Sequence, residues 1–122
     1  MLLPLLYLGM TLVLAPPPIS VTASPRFGLE PLSVRVKMVI EPSADNRIAC
    51  LVYDGPQYSS SCWELHADSP RTVQKTLVNL PAGLYTVTAS VQRANGSLRV
   101  ATTNVCSIST GLNPETCQTG EF

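Results

Sequence analysis

Charge is scarce in this chain of 122 residues: 13% of positions are Asp, Glu, Lys or Arg, eight basic residues offset eight acidic ones, and there is one histidine, His66. That balance supplies no field to draw in a phosphate backbone or an anionic bilayer, so nucleic acid is not an expected partner. A lone histidine also leaves little for acid–base or nucleophilic chemistry. A general base needs a nucleophile and an orienting acid within reach, and Ser59, Ser60 and Ser61 read as ordinary residues between a turn and a strand. Helical periodicity is missing outside the extreme N-terminus. The expectation is a protein without catalytic residues, cofactor or metal.

What is present is the grammar of strands and turns, with 11 prolines and abundant Ser and Thr. Within NLPAGLYTVTASV (79–91), Tyr85, Val87, Ala89 and Val91 fall on one side of an extended chain, with Thr86, Thr88 and Ser90 on the other. The strand opens on Pro81 and Gly83 and closes at Asn95-Gly96, the strongest short hairpin signal. Val34, Val36, Met38 and Ile40 face in while Arg35 and Lys37 face out, and Ile19, Val21 and Ala23 form a first strand. SPRFGLEP (24–31) is expected to break the chain at Pro25, Gly28 and Pro31. RIACLVYD (47–54) is apolar on both faces, which predicts a central strand covered on both sides. Trp63 and Leu65 share one face of the next strand, whereas RTVQKTLVNL (71–80) alternates too poorly for its facing to be assigned. With SLRVATTNVCSI (97–108) these make about seven short strands separated by turns, the pattern of an antiparallel sandwich over 19–108. The segment 109–122 reads as an irregular tail.

Cys50, Cys62, Cys106 and Cys117 permit three connectivities. If 47–54 and 60–66 are antiparallel around Gly55-Pro56-Gln57, Cys50 lies opposite Cys62, because both are six residues from Pro56. Cross-strand separation of about 4.5 to 5.5 Å suits a disulfide. By elimination Cys106 pairs with Cys117. Zinc is disfavoured, since spacings of twelve and eleven with one distant histidine are not those of a structural site. Disulfides in turn imply an oxidising compartment, against the alternative of reduced thiols in a cytoplasmic protein.

The N-terminal segment 1–18 is apolar and carries no Lys or Arg before Arg26. Its run from Leu2 to Ala15 is shorter than the roughly 20 residues that span a bilayer core and suits the core of a secretory signal. A short anchor, or an arm retained and buried in an assembly, are the other options. The expected location is extracellular, cell-surface or periplasmic, with a virion as the alternative; a membrane would be met only through this arm.

SPRFGLEPLSVRVKMVI resembles the entry to the second strand of polycystic-kidney-disease-type (PKD-like) and related immunoglobulin-like domains. NLPAGLYTVTASV resembles their penultimate strand at Leu80, Gly83, Tyr85 and Val87. The family's Trp-Asp-Phe-Gly-Asp-Gly-type segment is reduced here to LVYDG at 51–55. The resemblance implies an immunoglobulin-like sandwich doing non-catalytic work as a spacer, adhesion module, accessory domain or particle decoration.

Within such a fold Trp63 is expected to pack on the Cys50–Cys62 bridge and Tyr53 to face the core, leaving Tyr58 exposed. The alternative is that Tyr53, Tyr58 and Trp63 form an exposed platform for a glycan or a protein. Asp45, Asp54 and Asp68 could meet at one end to hold Ca²⁺, but without D-x-D-x-D spacing they read as solvated turn residues. Asn95-Gly96-Ser97 is formally a glycosylation sequon with a structural reason to exist as a hairpin turn. The expected function is a structural or interaction module that displays loops 54–61 and 66–71 to a protein assembly, a surface partner or a glycan, with the arm as its attachment.

Overall fold

The computed structural model describes residues 18–109, and every regular element among them is a strand. In chain order these are β1 (Ile19–Ser24), β2 (Phe27–Leu29), β3 (Leu32–Ile40), β4 (Asn46–Asp54), β5 (Tyr58–Glu64), β6 (Thr72–Leu80), β7 (Gly83–Arg93) and β8 (Leu98–Ile108). They form a three-stranded sheet of order β1-β3-β6 and a five-stranded sheet of order β2-β8-β7-β4-β5. The result is an all-β, two-sheet sandwich compatible with an immunoglobulin-like fold.

Alternation decides which face each strand buries. Val34, Val36, Met38 and Ile40 of β3 and Tyr85, Val87, Ala89 and Val91 of β7 are buried, joined by Ile19, Val21 and Ala23 of β1. Each large side chain so enclosed contributes about 1.5 to 3 kcal/mol. The facing of β6 is now clear: Leu77 and Leu80 are buried, while Val78 is exposed. Lys75 also turns inward, and its Nζ donates to Ser61 Oγ of β5 at 3.3 Å. β5 and β6 each have a single strand neighbour, so this bond ties two open edges together.

Two expectations about the strands are corrected. The segment 24–31 does not simply break the chain. It moves the backbone from one sheet to the other, and Phe27–Leu29 pairs in parallel with Cys106–Ile108. Cys106 N donates to Arg26 O and Glu30 N to Ile108 O, both at 2.8 Å. Cis peptide bonds precede Pro25 and Pro31 on either side of this short strand. Second, β4 is an interior strand of its sheet, between β7 and β5, but is covered on one side only. Ala49 and Leu51 are buried, whereas Ile48 remains 37% exposed on the opposite face. Its second apolar row therefore belongs to an open surface.

The β6–β7 corner is closed by side chains. Tyr85, fully buried, donates its hydroxyl to Pro81 O at 2.9 Å. Ser107 Oγ donates to Leu80 O at 3.0 Å, and Ala82 N donates to Glu30 Oε1 at 3.2 Å. A Tyr at the start of the seventh strand bonded to the backbone four residues upstream is a tyrosine corner, a hallmark of immunoglobulin-like sandwiches. Gly83, at φ +147°, lies where a Cβ would collide with the Pro56 ring of the neighbouring β4–β5 turn.

Candidate functional site

The strand directions sort the loops onto two poles. Pro18, the β3–β4 loop at 41–45, the β5–β6 loop at 65–71 and the β7–β8 hairpin occupy one, which we term proximal. The other, distal, holds the β4–β5 turn at 55–57, the β6–β7 corner, the segment around β2 and the end of β8. Loops 54–61 and 66–71 thus lie at opposite poles and do not present a common surface. The three aspartates separate in the same way, with Asp45 and Asp68 in proximal loops and Asp54 at the distal end of β4. Among the described residues no three His, Cys, Asp or Glu side chains gather as a metal site would require.

The β4–β5 hairpin follows the expected register, with Cys50 opposite Cys62 and Tyr53 opposite Ser59. The Cys50–Cys62 disulfide is formed, with Cα atoms 4.1 Å apart. Cys106 is buried, and its expected partner Cys117 lies outside the described residues. So do the apolar residues 1–17 and the tail from 110.

The three aromatic residues do not form a platform. Tyr53 packs against the core, its ring centroid 6.2 Å from that of Tyr85. Trp63 pairs with buried Ala49 and also packs against the core. Successive strand residues point to opposite faces, so Trp63 points away from the bridge made by its neighbour Cys62. The expected packing of Trp63 on the disulfide is corrected by that parity. Tyr58 remains as an exposed ring, at 65%.

At the proximal pole an open cleft of about 1070 Å³ runs between the β3–β4 and β5–β6 loops. Pro42, Ile48 and Leu65 line it together with Arg47, His66 and Arg71. Asn46 forms part of its wall, with Nδ2 donating to Glu41 O at 2.9 Å. Its Oδ1, like Arg93 Nε and Ser97 Oγ, is buried without a hydrogen-bond partner. His66 sits in a tight turn, where its N–H donates to Ser69 Oγ and its carbonyl accepts from Ser69 N. Ser61 Oγ accepts from Lys75 Nζ.

The more distinctive surface is the outer face of the five-stranded sheet. Register places Leu98, Gln92, Ile48 and Glu64 in one row across β8, β7, β4 and β5, and Val100, Ser90, Cys50 and Cys62 in the next. The two further rows are Thr102, Thr88, Val52 and Ser60, then Asn104, Thr86, Asp54 and Tyr58. These sixteen positions include two charged residues, Asp54 and Glu64. Ile48, Tyr58, Leu98 and Val100 on them are large and exposed, as is Leu84 at the distal margin. The outer face of the three-stranded sheet differs, carrying exposed Arg35 and Lys37 and, among its large hydrophobics, exposed Val78.

Alternation could have revealed this face, because each exposed row is the complement of a core row on the same strand. The tyrosine corner was not read from the sequence, although a Tyr four residues after Pro81 at the start of a strand is the signal that could have found it. The polar cluster at Asn46 and Arg93 had no sequence signal, since it depends on a register shift between Asn46 and Ile48. No protein-family model matches the chain, and no curated protein matches it.

Proposed function

We propose that this protein is a non-catalytic spacer and display module of the PKD-like branch of immunoglobulin-like sandwiches, exported from the cell and attached through its apolar N-terminal arm to a larger protein assembly or surface. The observation that carries this reading is the polarity of the domain. The backbone enters at the proximal pole and leaves at the distal pole, separated by β8, whose 11 residues extend about 35 Å at the rise of a β-strand. A module so threaded projects its distal pole away from whatever holds residues 1–17. Distal rigidity supports the same reading, because the corner carbonyls and the Ala82 N–H are held by Tyr85, Ser107 and Glu30. The Cys50–Cys62 bridge supports an oxidising location outside the cytoplasm.

The working end is then the distal pole, with the turn 55–57 and Tyr58, while loop 66–71 lies beside the attachment. A glycan-binding accessory role would rest on Tyr58 as its stacking ring, next to Asp54 and Ser60. The virion or filament reading keeps the same arm but packs it between subunits.

The test is fractionation of cells producing the full chain and the chain lacking residues 1–17, with thiol alkylation before lysis. The expected result is an oxidised Cys50–Cys62 pair in an envelope, particle or extracellular fraction, with the truncated chain released from that fraction or retained in the cytoplasm. Full-length protein with alkylated thiols in the cytoplasm, or unchanged association after truncation, overturns the proposal.

A further inference from the structure

We propose that the outer face of the five-stranded sheet is a homotypic interface, on which a second copy of this chain seats sheet against sheet about a two-fold axis. Exposed apolar side chains are concentrated there. Leu98 is 55% exposed, Val100 51% and Ile48 37%, at aligned or successive positions of one sheet. Gln92 stands between Leu98 and Ile48, Ser90 lies beside Val100, and the next row begins with Thr102 and Thr88, short side chains that let two sheets approach closely there. The opposite outer face bears Arg35 and Lys37 near its centre, and burying those cations would be costly.

Charge placement fixes how a second copy can seat. The two acids of the open face lie on the β4–β5 flank, Asp54 at its distal end and Glu64 on the edge strand. A two-fold axis along the strands sets that flank against the β8 flank of the other copy, where Leu98, Val100, Thr102 and Asn104 carry no charge. Like charges therefore do not meet, and both acids stay at a wet rim, the anatomy of protein interfaces generally. Four strands at about 4.8 Å and four rows at about 6.8 Å give roughly 500 Å² in projection, the low end of what a specific dimer needs. The contact is accordingly a reversible one.

Sedimentation velocity on the full chain across a concentration series tests this, comparing wild type with Val100→Glu, Ser90→Arg and, on the opposite sheet, Val78→Glu. Circular dichroism and an intact Cys50–Cys62 bridge verify folding. We expect wild type and Val78→Glu to dimerise reversibly, and Val100→Glu and Ser90→Arg to associate at least about tenfold more weakly, because each buries an uncompensated charge. Wild type that stays monomeric at the highest soluble concentration overturns the proposal. So does a dimer indifferent to Val100→Glu and Ser90→Arg. Dimerisation that arises only after removal of residues 1–17 or 110–122 also overturns it, by assigning the face to the chain's own ends.

Discussion

Tyr85 and Pro81 close the distal corner of the sandwich on themselves: the buried phenol donates to the Pro81 carbonyl at 2.9 Å. The same ring packs at a tilt of 56° against Tyr53 of the neighbouring strand. One side chain therefore fixes both the turn between the two sheets and the core packing of β7 beside its sheet neighbour β4.

Removing the hydroxyl alone separates these roles. Tyr85→Phe keeps the ring but leaves the Pro81 carbonyl without its donor, and should cost about 1 to 2 kcal/mol in urea unfolding. Tyr85→Ala should cost about 3 to 5 kcal/mol, as emptied aromatic sites do.

Burial, and secondarily the nearby Tyr53, push the Tyr85 hydroxyl above its ordinary pKa of 10.0. The folded state thus holds this proton more tightly than the unfolded chain. Its contribution is fully present below the unfolded pKa and is lost as pH rises through the folded one. Stability should fall on the alkaline side of pH 10, and the fall should be shallower in Tyr85→Phe. Equilibrium unfolding at a series of alkaline pH values reads both slopes.

Reducing the Cys50–Cys62 bridge, or replacing both residues by Ala, should cost up to about 3 kcal/mol for a cross-link spanning 12 residues. The loss should be local. Hydrogen exchange is expected to quicken in β5, which has only β4 as its strand neighbour, before β7 and β8 respond.

Gly83→Ala should destabilise by roughly 3 kcal/mol, combining left-handed backbone strain with a collision against Pro56. Gly96→Ala, also at positive φ but with open space around it, should cost about 1 kcal/mol. Thermal melts of the two variants side by side distinguish conformational strain from crowding.

Lys75→Met should leave stability nearly unchanged while increasing light scattering on heating. The inward Lys75 places a charge between β6 and β5, and such charges discourage open strand edges from pairing with other chains.

Much of this fold was legible in the chain because period-two alternation is strict where one face is buried. β1, β3 and β7 follow it residue for residue, and the Cys50–Cys62 register followed from equal distances to Pro56. β2 was not legible. Three residues between prolines carry no periodicity, and their parallel partner lies nearly eighty positions away, so only tertiary pairing creates the strand. Trp63 was misplaced for another reason. Expecting a Trp on a disulfide assumed a bridge between the sheets, whereas this one joins neighbours within a sheet and so shows its sulfurs to the face opposite Trp63. Continuous apolarity in β4 was read as two covered faces when it marked one core row and one open row. The separation of the loops into poles follows from strand direction, which local sequence does not encode.

The change of sheet between β1 and β2 has a mechanical consequence. Tension applied between residue 18 and residue 109 would draw β1 and β2 toward the proximal pole while drawing β8 the other way. β2 and β8 run parallel, so the hydrogen bonds around Phe27–Leu29, with those from Cys106 N and Glu30 N, would be loaded in shear together. They would not peel one after another. A domain fixed at one end and pulled at the other would in this way meet force at its short parallel clamp, with the rest of the sandwich held behind it.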